Sequence, residues 1–208
     1  MIKKVFKGQS IIVKNLPFLL VLLFSNLLLS ETKKWEVELD DDSVSVVING
    51  NNSWGDRYRI VLNPGVENDR CNLAEQFTTN YSAVDDFAEK YENLPSDYVL
   101  SKIKTGDREE KFLMKILFTR DFLLGKITYF FVGRNLIEDF LDFHKDSENF
   151  SIELLAFYDL ENQQEYDVDI SKYYDITKNS WNLTGLKDVL YEGKEECIKL
   201  ERKYNVKE

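Results

Sequence analysis

Two cysteines constrain this chain more than any other feature of it. Cys71 and Cys197 are the only thiols among 208 residues, and they stand far apart. In an oxidising compartment two thiols tend to pair, and here the bridge would close a long loop. The chain-entropy model gives such a closure an upper bound of roughly 5 kcal/mol. The pairing would tie the stretch from Asn179 to Leu200 to the first third of the fold. In that stretch Leu186, Val189, Leu190, Gly193, Cys197 and Leu200 recur at helical spacing and share one face. The Cys197 thiol is therefore expected to point into the domain, with its Cα within about 7 Å of that of Cys71. The opposing reading, a redox couple or two reactive thiols, fits poorly, because redox pairs usually stand close in sequence, as in C-x-x-C.

An oxidising destination is itself suggested by the N-terminus. Lys3, Lys4, Lys7 and Lys14 precede an apolar run from Leu16 to Leu29, and Ser30 then gives way to charged residues. This is the order of a secretory signal. The run falls short of the ~20 residues that span a bilayer as a stable helix. Residues 1–30 are read as a signal peptide or a short N-terminal anchor, and residues 31–208 as a single β-rich exported domain, periplasmic or secreted.

Charge narrows the partners. The whole chain carries a formal net charge of −10; the first thirty residues hold four lysines and no acid, which leaves 23 bases against 37 acids, a net −14. A domain this acidic has no general attraction for nucleic acid or anionic lipid. Neither nucleic acid nor a membrane beyond the N-terminal segment is expected as a partner; an unidentified protein partner is compatible with the composition.

The fold is read from alternation. Trp35 to Leu39, Ser43 to Ile48, Arg57 to Leu62, Leu73 to Tyr81, Tyr98 to Lys104 and Phe150 to Tyr158 read as strands, separated by turns such as Asn49-Gly50-Asn51-Asn52 and Thr105-Gly106-Asp107. Phe112 to Phe118 is almost continuously apolar, which suits a strand covered on both faces, and Lys126 to Val132 is its partner. Tyr166, Val168 and Ile170 alternate and are expected to close a hairpin with the preceding strand. Ser82 opens a helix with a capping-box-like start, Asn135 to Phe143 has helical spacing, and Thr184 is placed to cap the last helix. Trp181, Leu183, Gly185 and Leu186 form a structural motif leading into that helix. The fold class that follows is α+β: a mostly antiparallel, β-sandwich-like domain with one inserted helix and a C-terminal helix packed on the sheet.

Catalytic signals are weak. His144 is the only histidine, and it sits in Phe143-His144-Lys145-Asp146, where an exposed loop position is expected. No G-x-S-x-G, G-x-G-x-x-G or Walker A sequence occurs. Adjacent acids such as Asp40-Asp41-Asp42, Asp85-Asp86, Glu109-Glu110 and Glu195-Glu196 do not fit a calcium loop, and Asp167 and Asp169 share the polar face of their expected strand. Solvated faces account for them. The reading assigns no catalytic, cofactor-binding or metal-ligating residue and no cofactor.

Two patches carry a resemblance. One is Asn63-Pro64-Gly65 followed by Cys71-Asn72 and Phe77-Thr78-Thr79; the other is Ser180-Trp181-Asn182-Leu183-Thr184-Gly185-Leu186 with Cys197. Together they resemble exported bacterial β-sandwich proteins of unassigned role, and more distantly the invasion-associated locus B family. The resemblance implies a periplasmic or secreted module without enzymatic residues. The function expected is therefore a non-enzymatic, protein-binding or envelope-structural domain. Two alternatives stand beside it: a hydrolase whose two carboxylates only the fold brings together, and a carrier of a small apolar ligand.

Overall fold

The computed structural model describes residues 34–51, 56–64, 70–83, 93–123 and 125–205. Residues 1–30, and most of the helix expected to start at Ser82, lie outside the described residues. Alternating sequence becomes strand at β1 (Glu36–Leu39), β2 (Val44–Asn49), β3 (Arg57–Leu62), β4 (Leu73–Ser82), β5 (Tyr98–Thr105), β6 (Arg108–Phe122), β7 (Gly125–Leu136) and β8 (Asn149–Asp159). A short β9 (Gln164–Glu165) and β10 (Lys178–Asn182) complete the sheet. Two described helices join them, α1 (Ile137–His144), inserted between β7 and β8, and α2 (Leu186–Asn205) at the C-terminal end. The fold is α+β, with a mostly antiparallel sheet and the C-terminal helix packed on it.

The ladders form one continuous sheet in the order β1-β2-β3-β4-β7-β6-β5-β8-β10, with β9 paired to β8. All pairings are antiparallel. Strands β5, β6 and β7 run as a meander that returns to lie beside β4, a Greek-key arrangement. Register shifts at Gln76/Phe77, Leu100/Ser101 and Ile116/Phe118 bend these long strands. The sandwich-like faces thus come from one sheet that curls, bringing its two ends together. Trp35 Nε1 donates to the Asn182 carbonyl at 2.7 Å, and the Asn51 amide donates to the Ser180 carbonyl at 3.0 Å. Between these ends Tyr58, Phe150 and Trp181 pack with ring centroids 4.9–5.2 Å apart.

Helix α2 covers the β1–β3 end. Leu186, Leu190, Gly193 and Cys197 are buried, which is the face the spacing predicts. Cys71 lies in the one-turn 3-10 segment Arg70–Asn72, directly before β4, and bonds Cys197 with the two Cα atoms 5.8 Å apart. The expected bridge is present.

Three local expectations are corrected. Phe112 to Phe118 is not covered on both faces: Met114 and Ile116 point inward, while Leu117 and Phe118 are exposed, because this strand has one solvated face like its neighbours. No strand runs from Tyr166 to Ile170. The Asp169 carboxylate accepts from the Ser171 amide and caps a 3-10 turn, Ile170–Lys172, and a side chain that bonds its own backbone competes with a ladder. Trp181, the first residue of the motif that leads into α2, lies on β10, paired with Phe150 of β8. Thr184 does not stand directly before α2. Gly185 does, at φ +77°, and its carbonyl accepts the Val189 amide. That conformation suits glycine, which has no Cβ to clash.

Candidate functional site

Helix α1 presents Ile137, Phe140 and His144 to the interior, one stripe at i, i+3 and i+7. His144 is 4% exposed, so the expected exposed loop histidine is overturned. Its ring lies among three phenylalanines, with centroids 4.6 Å from Phe140, 4.9 Å from Phe143 and 4.9 Å from Phe150. Nδ1 is 3.0 Å from Thr105 Oγ1, at the end of β5, and Nε2 is buried without a partner. Burial, and then the Arg108 guanidinium, push the imidazole down to a pKa of about 4. At neutral pH His144 is therefore uncharged. The spacing of Phe140 and His144, four apart on a helix, was the sequence signal for this burial; a loop reading of Phe143-His144-Lys145 concealed it.

His144 borders a cleft of about 320 Å³. Phe112, Val132, Phe140 and Phe143 supply its apolar lining. Its polar lining includes Gln76 and Asn135 and two exposed carboxylates, Glu110 of β6 and Asp139 of α1. The amides are held in place: Tyr58 Oη donates to Gln76 Oε1 at 2.6 Å, and Gln76 Nε2 donates to Asn135 Oδ1 at 2.8 Å. Sequence reading had placed Glu110 on a solvated face with Glu109. Glu109 does stay outside, 3.6 Å from Lys102, while Glu110 joins Asp139 at the cleft, a pairing that only the fold makes.

A second cleft, of about 470 Å³, also touches His144 and carries both signs of charge, Glu138 and Asp142 with Lys145 and Lys187. Leu183 and Leu186 of the Trp181 motif line it. Trp181 itself is stacked on Phe150, the ring that in turn meets His144. The hydroxyl of Ser147, in this second cleft, is committed to backbone: it donates to the Asn149 carbonyl and accepts from the Gly106 amide. The Cys71–Cys197 bridge lines neither cleft. Among the described residues no three His, Cys, Asp or Glu gather as a metal site, and no helix is long and apolar enough to cross a membrane.

Away from the clefts, the outward face of β4, β7 and β6 carries a strip of aromatic rings. Phe77 meets Phe131 at 5.5 Å, Phe118 stacks on Tyr129 at 4.4 Å, and the Arg120 guanidinium lies 5.1 Å over Tyr129. Leu117, Phe118 and Leu123 are 44%, 49% and 74% exposed.

No family model matches this chain, and no curated protein or solved structure matches it either.

Proposed function

We propose that this chain is an exported, non-enzymatic binding domain whose ligand site is the cleft beside His144. The observation that carries the reading is the buried imidazole with an unpartnered Nε2 beside an aromatic-lined cleft. An unsatisfied polar atom in the interior is costly, and the ring that carries it is part of the cleft wall. The long-range disulfide and the basic-then-apolar N-terminal segment support export. The likeness of the Asn63 and Trp181 patches to exported β-sandwich modules is part of the same proposal.

Geometry also favours binding over catalysis. A general base works best with a pKa near the operating pH, and His144 lies well below it. Thr105, the hydroxyl nearest its ring, is 3% exposed, and the Ser147 hydroxyl is occupied by backbone. Two measurements test the reading. The exported product should be about 30 residues shorter than the full chain by intact mass. A set of small neutral, cationic and anionic compounds should contain members that shift the ring signals of His144. Because it is the only histidine, those signals are unambiguous. Silence across the whole set would end the cleft reading.

The aromatic strip supports a second reading, a docking face for a polypeptide that presents apolar and acidic side chains. Arg120 lies on Tyr129, and Lys115 pairs with Phe131 in the ladder, so basic groups stand among the rings of an acidic domain. A peptide alternating Phe and Glu should bind, its Phe/Lys counterpart should not, and Phe118→Ser should abolish binding. Equal behaviour of the two peptides would remove this reading.

A further inference from the structure

The geometry points to a small organic cation, an ammonium group on an apolar body, as the ligand class of the cleft bordered by Phe112, Phe140, Glu110, Asp139 and His144. This rests on the binding reading above and adds the chemistry of the ligand to it.

Three features of the cleft converge. Its charged lining is of one sign: Glu110 and Asp139 are present, and no described lysine or arginine lines it. Its walls include three phenylalanine rings, whose faces attract cations within about 6 Å. One of them already shows that preference, since the Arg108 guanidinium sits 6.0 Å over the Phe143 ring while donating to the Asp142 and Phe143 carbonyls. Phe112, half-buried on β6, remains for a ligand. The third feature is the imidazole. Were His144 protonated, it would repel a cation; buried among phenylalanines it stays neutral. With its proton on Nδ1, toward Thr105 Oγ1, the ring keeps a lone pair on Nε2 and brings no positive charge to the cleft wall.

An anion is opposed by the two carboxylates. A purely apolar molecule would bury next to them at a desolvation cost that a cation escapes. The domain's net negative charge also raises the local concentration of cations. Each ingredient is ordinary by itself; their meeting on one cleft whose lining holds no described lysine or arginine is what selects the ligand.

The test compares choline with 3,3-dimethylbutanol, its neutral carbon isostere, on the purified oxidised protein at pH 7, read by the His144 ring signals. Choline should bind about tenfold or more tightly than the alcohol. The double variant Glu110→Gln/Asp139→Asn alters two exposed side chains and should fold normally. It should lose about tenfold or more in choline affinity and leave the alcohol unchanged. Equal affinity of the two compounds, tighter binding of the alcohol, or choline binding that survives the double variant overturns the cation assignment. If choline leaves His144 unmoved while neutral or anionic compounds shift it, the ligand class is wrong and the binding site stands. If nothing shifts it, both fall.

Discussion

Gly193 of α2 and Val46 of β2 lie so close that a Cβ on the glycine would stand 2.7 Å from Val46 Cγ2. Leu62 and Val44 are the next atoms it would meet, at 3.5 and 3.7 Å. The helix therefore rests on the sheet at a separation that only a residue without a side chain permits. Elsewhere on a helix, Gly→Ala gains about 1 kcal/mol of propensity. Here the added methyl meets a β-branched side chain that is fully buried and stiff at χ1. Overpacking costs about 1–3 kcal/mol, which offsets or exceeds that gain, so Gly193→Ala should give a net loss of up to about 2 kcal/mol. Urea unfolding measures it, and adding Val46→Ala should return part of the loss if the two residues are coupled. A midpoint that rises in the single variant would mean that the helix is free to lift off the sheet.

The disulfide fastens that same helix. Cys197 is one turn beyond Gly193 on the buried face, and its partner Cys71 precedes β4. Replacing Cys197 by Ser should lower stability by about 2–5 kcal/mol and leave Cys71 free to cross-link two chains. Thiol counting after unfolding of the purified, non-reduced protein checks the premise: the native chain should react at neither cysteine, the variant at one.

His144 makes stability depend on pH. Its folded pKa of about 4 lies below the ordinary 6.5, because the ring is buried among phenylalanines near Arg108. Above pH 6.5 the ring is neutral in both states and the term is zero. As pH falls from 6.5 toward 4 the unfolded chain takes up a proton that the folded one refuses, so stability is lost across that window, by roughly 3 kcal/mol at most. His144→Asn should flatten this part of the profile. An NMR titration of the folded protein should place the midpoint of the single histidine near 4; a midpoint near 6.5 would contradict the burial.

Much of this architecture was legible from the sequence, and the parts that were not share a cause. Strands such as β3 and β8 alternate cleanly, and the α2 face can be counted off from Leu186 to Cys197. Their local pattern and their tertiary surroundings agree. Phe118 was misplaced because an apolar residue on a solvated face, stacked on Tyr129, looks locally like one that is covered. The strand character of Trp181 comes from pairing with Phe150, thirty-one positions earlier, and no window around Lys178–Asn182 carries that information. The cleft was least legible of all. Gln76, Glu110, Asp139 and His144 come from three separate elements, β4, β6 and α1, and their meeting depends on the Greek-key return of β7 to β4 and on the placing of α1.

The closure of the curled sheet depends on a buried carboxylate, and its loss should be costly. Asp56 is 0% exposed, at the start of β3. Its Oδ1 accepts the Tyr81 amide of β4 at 2.7 Å, and its Oδ2 accepts Asn179 Nδ2 of β10 at 2.6 Å. Its own carbonyl accepts the Gly50 amide at 2.6 Å. One side chain thus joins the β3–β4 ladder to the strand at the far end of the sheet. Asp56→Asn conserves shape and removes one acceptor. Whichever way the new amide turns, its NH₂ group faces a donor, Tyr81 N–H or Asn179 Nδ2. Asn179 cannot simply rotate to offer its oxygen, because that oxygen already accepts the Ser180 amide at 2.8 Å. A buried donor left without an acceptor costs about 1–3 kcal/mol, and bonds to a charged acceptor sit at the upper end of that scale. The variant should therefore unfold at lower urea than the native chain. Exchange of the Asn51 amide, which bonds Ser180 across the seam, should accelerate more than exchange within β5 or β6. Uniform acceleration throughout the sheet would mean that Asp56 stabilises the domain without specifically holding its two ends together.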